Sequence, residues 1–179
     1  MIEMADFQWL SLVEGRAAIR LCNSYNRLPA IIELAYRMGD WEWLALLGEE
    51  WQSCDNIAQC HNALWDTPFA DLVESPLIWR AAMMTEVERR TVAAWPETVT
   101  IFRGCYLHNK RGLSWTLSRE TAERFPMQHR YQSEGQPLLI RATVKRDQIL
   151  ALKLERDESE VIAWWPKVQA ISFIRSAEA

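Results

Sequence analysis

The chain has 179 residues, and a hydrophobic share of 49% is ample for a packed core and argues against disorder. Its formal net charge of −4 conceals a split: residues 1–97 sum to −8 and residues 98–179 to +4, which places any anionic ligand in the second half. No apolar run approaches the ~20 residues needed to span a bilayer and no signal-peptide pattern opens the chain, so a soluble, cytoplasmic protein without a membrane role is expected.

The first half reads as helices. Apolar residues recur at three- and four-residue steps in Phe7, Leu10 and Val13, and again in Ile31, Leu34, Ala35 and Met38. Gly39-Asp40 interrupts the pattern, and Trp41, Leu44, Leu47 and Trp51 restart it with Asp40 as N-cap. Ser53 to Leu64 is predicted as a further helix, ending before the turn Asp66-Thr67-Pro68. A last helix is predicted from Ser75-Pro76, with proline at its first position, to Ala94. Seven of the ten tryptophans lie here, at Trp9, Trp41, Trp43, Trp51, Trp65, Trp79 and Trp95, and their helical spacing reads as core rather than as a ligand cage. Cys22, Cys54, Cys60 and Cys105 follow no disulfide or zinc spacing. Cys54, Cys60 and His61 lack a second pair of ligands, so reduced, mostly buried thiols are expected and no metal.

After Pro96 the texture changes. Val99 to Phe102, Leu138 to Val144, Gln148 to Leu154, Glu160 to Trp165 and Val168 to Ile174 are β-branched or aromatic runs with strand character. One helix interrupts them, at Ser118 to Phe125, with Ser118 as N-cap and Glu120 in its first turn. Helices followed by strands predict an α+β protein: a helical part over 1–97 packed on a small mixed sheet built from 98–179, in one compact unit.

Three stretches of the second half carry candidate chemistry. In IFRG, Arg103 and Gly104 end a strand. In GLSWTLSRETAERF, Ser114-Trp115-Thr116 leads from a strand into the helix. In DESEVI, Glu158 and Glu160 stand one residue apart at the mouth of a strand, on one face and roughly 6.5–7 Å apart. Singly, each has an ordinary explanation: a surface cation, strand hydroxyls meeting local needs, or charges that keep an edge strand soluble.

Taken in order, Arg, then Ser-x-Thr, then Glu-x-Glu, they resemble the Arg–Ser–Glu class of mono-ADP-ribosyltransferases over about residues 98–174. The resemblance implies the ADP-ribosyltransferase fold in a compact phage or bacterial form, with NAD as substrate. It also implies transfer of ADP-ribose to a macromolecule with release of nicotinamide. Breaking the nicotinamide–ribose bond creates an oxocarbenium ion that a fixed carboxylate can stabilise, as carboxylates do in glycosidases. On this resemblance Glu160 meets the cation and Glu158 serves the acceptor. Arg103, with Gly104 beside it, offers its planar fork to phosphate, and Ser114 and Thr116 brace both Arg103 and Glu160. Trp115 and Phe125 are candidates to stack on nicotinamide or adenine. Residues 126–137 lie where the family has a loop over NAD, so Arg130 is a candidate for phosphate and Tyr131 for stacking. Lys110 and Arg111 could assist with phosphate or simply solvate a turn.

The family's Glu-x-Glu form is associated with arginine as acceptor; here protein arginine and nucleic acid both stay open. A phage-encoded or toxin-like effector in a bacterial cytoplasm fits the same analogy. An NAD glycohydrolase would use the same site with water as acceptor. A non-catalytic inhibitor would instead use the acidic, tryptophan-rich helices as its contact with a protein partner.

Overall fold

The computed structural model describes residues 9–155 and 159–174, in two units that divide between Met83 and Met84. The first holds α1 (Leu12–Ile19), α2 (Arg27–Leu34), α3 (Asp40–Glu50), α4 (His61–Leu64), α5 (Phe69–Glu74) and α6 (Pro76–Met83). Ser11 starts α1 with a reciprocal box: its hydroxyl accepts from Glu14 N, and the Glu14 carboxylate accepts from Ser11 N at 2.8 Å. In α3 the cap is Gly39, one residue earlier than expected. Asp40 falls in the first turn, where a carboxylate meets the positive end of the helix.

Two helix expectations change. Most of Ser53 to Leu64 is irregular, and only His61–Leu64 is helical. Cys54 is extended, and the segment is tied to the loop before α2, with Asp55 N donating to Ser24 O and Asn56 Nδ2 to Tyr25 O. The short helix α5 follows the turn Asp66-Thr67-Pro68, and the Thr67 hydroxyl accepts from Phe69 N. The long helix expected from Ser75 to Ala94 is two helices, α6 and α7 (Glu86–Ala93). It breaks because Thr85 adopts an extended backbone and caps α7 in a box with Glu88.

The core of the first unit is built from Leu28, Ile31, Leu44, Leu47 and Leu72 with two tryptophans. Trp43 is fully buried and donates from its indole nitrogen to Ile31 O at 2.7 Å, so its polar edge is satisfied. Trp51 lies parallel to Phe69, with ring centroids 6.2 Å apart. Trp9 and Trp41 are exposed, so the core reading holds for some of the tryptophans and not for these two.

The second unit holds α7, β1 (Thr98–Cys105), β2 (Ser114–Thr116), α8 (Arg119–Arg124), β3 (Leu138–Lys145), β4 (Ile149–Lys153), β5 (Glu160–Ala163) and β6 (Lys167–Phe173). They form one six-stranded sheet in the order β4-β5-β2-β1-β3-β6. Every pairing is antiparallel, where a mixed sheet was expected. β2 and β3 both run against β1 but lie on either side of it, so the crossover through α8 brings no parallel strands into contact.

The texture change at Pro96 groups α7 with the helical part, yet α7 belongs with the sheet. At its start, the Glu88 carboxylate accepts from Lys153 Nζ and Leu154 N at the end of β4. At its end, Arg146 donates to the carbonyls of Ala93 and Trp95, a cation placed at the negative end of a helix. β5 stops at Ala163. Trp164 and Trp165 make the turn into β6, and Trp165 takes a left-handed φ of 48°. Among the described residues no helix is long and apolar enough to cross a membrane.

Candidate functional site

The sheet order makes neighbours of the three strands that carry the motifs. Phe102 of β1 is the register partner of Thr116 of β2, Thr116 of Glu160 of β5, and Glu160 of Lys153 of β4. Residues directly opposite one another share a face, so these four side chains form a row across the sheet. Ser114, two residues from Thr116, and Gly104, two from Phe102, lie on the same face. Glu160 is half-buried in this row.

Gly104 is explained by packing. A Cβ there would lie 1.7 Å from the Ala122 carbonyl oxygen and 2.7 Å from Pro126 Cδ, so α8 rests directly on the strand. The glycine therefore serves the approach of α8. Thr116 turns the chain into that helix: its hydroxyl accepts from Ser118 N at 3.1 Å, and Ser118 then caps α8 by accepting from Thr121 N.

Arg103 steps to the opposite face from Phe102 and Gly104. Its guanidinium bends to the β1–β2 loop, with Nη1 donating to Ser114 O at 2.5 Å and Nη2 to Asn109 O at 3.1 Å. Asn109 is itself fixed, its side-chain oxygen accepting from Tyr106 N at 2.8 Å. The space is provided by Gly112, where a Cβ would lie 2.0 Å from Nη2. The expected bracing of Arg103 by the Ser114 and Thr116 hydroxyls is thus replaced by a backbone carbonyl, and the fork holds a loop.

Burial pushes the Arg103 guanidinium below the usual arginine range, with Cys105 and Glu160 pulling it back up. Arginine's range is so high that the group stays a cation. Burial also pushes the Cys105 thiol up, against the pull of Arg103. At neutral pH that thiol carries its proton, so of the two groups Glu160 is the anion that Arg103 feels.

The remaining candidates are scattered. Trp115 is buried. Phe125 and Tyr131 stack on each other at 4.3 Å between centroids, so each is the other's partner. Arg130 lies in the single 3-10 turn His129–Tyr131, and its side chain is outside the described residues, as is the whole of Glu158. Arg111 lies over the ring of Trp165, 5.3 Å from its centroid.

The roles of Asn109, Gly112, Glu88 and Lys153 were not among those expected from the sequence. Only Glu88 carried a signal, the spacing Thr85-x-x-Glu88 of a capping box. No protein-family model matches this chain, and no curated protein or solved structure matches it either.

Proposed function

We propose that the protein is an NAD-dependent mono-ADP-ribosyltransferase in which Glu160 is the carboxylate that meets the ribosyl cation. The observation that carries this reading is the adjacency of β1, β2 and β5. The third motif, more than forty residues along the chain from the second, comes to lie beside it, with Glu160 the register partner of Thr116 on the face that also carries Ser114.

In the reaction the bond between the ribose anomeric carbon and the nicotinamide nitrogen breaks. Its electron pair returns to the ring, which leaves neutral, and the sugar becomes an oxocarbenium ion. A lone pair of the acceptor then bonds to the anomeric carbon, and the acceptor's proton passes to a base, the role this reading gives Glu158. Glu160, fixed on a paired strand, supplies a charge that needs no reorganisation as the cation forms. Arg103 enters as the strut of the β1–β2 loop, which presents the exposed cations Lys110 and Arg111 to an anionic substrate.

The test is nicotinamide release from NAD by wild type and by Glu160→Gln, which keeps the shape and removes the charge. The expected loss is on the order of 100-fold or more; equal rates would end the reading. Retention of label on a macromolecule after incubation with NAD labelled in its adenosine half separates transfer from hydrolysis.

A partner-binding role for the helical unit is a second reading. It is favoured by the exposed Leu77 and Ile78 of α6 and by exposed Trp41. Tight binding of a protein partner that survives Glu160→Gln, with no nicotinamide release by wild type, is its signature.

A further inference from the structure

Beside Glu160 in the sheet stands an ion pair that the motifs do not mention. Lys153 ends β4, and its Nζ lies 3.1 Å from Glu88 Oε2, with both side chains only 3% exposed. Glu88 also accepts from Thr85 N at 2.8 Å and from Leu154 N at 3.1 Å, so two backbone donors hold its carboxylate independently of the lysine. Burying two charges is costly, and apolar residues of similar volume commonly replace such pairs without loss of stability. Stability alone is therefore a weak reason for a lysine at this position.

The register supplies a better one. Lys153 is the direct partner of Glu160, and opposite residues of an antiparallel pair have Cα atoms about 4.5–5.5 Å apart with side chains on one face. The row therefore places a cation between two carboxylates, Glu88 from α7 on one side and Glu160 from β5 on the other.

We infer that Lys153, anchored by Glu88, is a positioning residue that keeps Glu160 ionised at the site, an inference that rests on the reading of Glu160 as the carboxylate facing the ribosyl cation. β4 presents Lys153, with Glu88 of α7 behind it. β2 presents the Ser114 and Thr116 hydroxyls and nothing that titrates. Arg103 and Cys105 of β1 act from the other face. On its own side of the chain Glu155 precedes it, and Arg156, Asp157 and Glu158 lie outside the described residues; α8, resting on the Gly104 face, carries Arg119, Glu120, Glu123 and Arg124, and Arg141 of β3 stands in the same row beyond Phe102. Glu88, Lys153 and Glu160 together carry the net charge of one carboxylate, so the lysine favours ionisation without cancelling the field needed by the oxocarbenium.

The experiment is the pH dependence of nicotinamide release in four forms of the full chain. Rate rises with pH as Glu160 loses its proton. Lys153→Met removes the cation and leaves Glu88 as a second anion, so the acid limb should move to higher pH by about one unit or more, with the rate recovering above it. Lys153→Arg keeps the charge and should leave the limb in place. Glu88→Gln leaves the cation unopposed and should move the limb the other way. General loosening of the fold cannot produce shifts of opposite sign.

An acid limb of folded Lys153→Met that superimposes on wild type overturns the inference. If that variant fails to fold, Glu88→Gln carries the test, and an unmoved limb there overturns it equally. Absence of nicotinamide release by wild type at every pH is instead a failure of the functional reading. In that case NMR titration of Glu160 in wild type and Glu88→Gln still decides whether the pair sets its ionisation.

Discussion

At the scale of residues, Gly112 and Arg103 form a matched pair. Glycine leaves open the space that the guanidinium occupies, and the guanidinium is held there by two carbonyls. Gly112→Ala must push the guanidinium off those acceptors, leaving polar groups of a part-buried site unpaired, at a cost of about 1–3 kcal/mol. In an Arg103→Met background the same alanine should cost far less, and a urea double-mutant cycle measures the difference. Equal cost in both backgrounds would show that the guanidinium is not what reserves the space. Of this pair only Arg103 was legible as important, and it was read for a different task. The position of a guanidinium depends on which carbonyls the loop turns toward it, and no local pattern in residues 103–114 encodes that.

At the scale of elements, two capping boxes carry spacing signals to which the apolar periodicity is blind. Ser11-x-x-Glu14 and Thr85-x-x-Glu88 both form as their spacing demands. The second also shows why the helix predicted from Ser75 to Ala94 breaks, a break that apolar periodicity alone concealed. The Ser11 hydroxyl and then the Ser11 backbone hold the Glu14 carboxyl below the usual carboxylate range. A carboxyl so lowered stabilises the folded state above its unfolded value, and that contribution is lost as pH falls through the folded value. The acid-side opening of α1, followed by amide exchange, should therefore be pH-dependent in wild type. In Ser11→Ala that dependence should largely vanish; an unchanged acid profile would mean that the box does not hold Glu14.

At the scale of the molecule, protection should follow sheet order. β1 and β3 lie inside the sheet, share eight register pairs and carry the buried Ile101, Ile140 and Ala142. β6 is an edge strand exposed along its length, and β4, at the other edge, is buried throughout. Native-state hydrogen exchange should find the slowest amides in β1 and β3, intermediate ones in β4, and fast exchange at the outward amides of β6. Protection of β6 equal to that of β3 would show that something covers this edge in solution.

The amino-acid sequence by itself determined what local chemistry can determine. The order of helices and then strands, the cap at Ser118, the two capping boxes and the approximate place of all the long strands follow from periodicity, turn residues and side-chain oxygens within a few positions. It also marked Glu160 and the motifs before it. Tertiary structure alone decided which strands lie side by side, that α7 joins the sheet, that Arg103 holds a loop, and that Lys153 stands beside Glu160. The strand neighbours and the docking of α7 join groups far apart in the chain, while the Arg103 contacts and the Lys153–Glu160 register join groups within eleven residues; in both cases the partner is fixed only when the chain has folded and burial has removed water as the alternative.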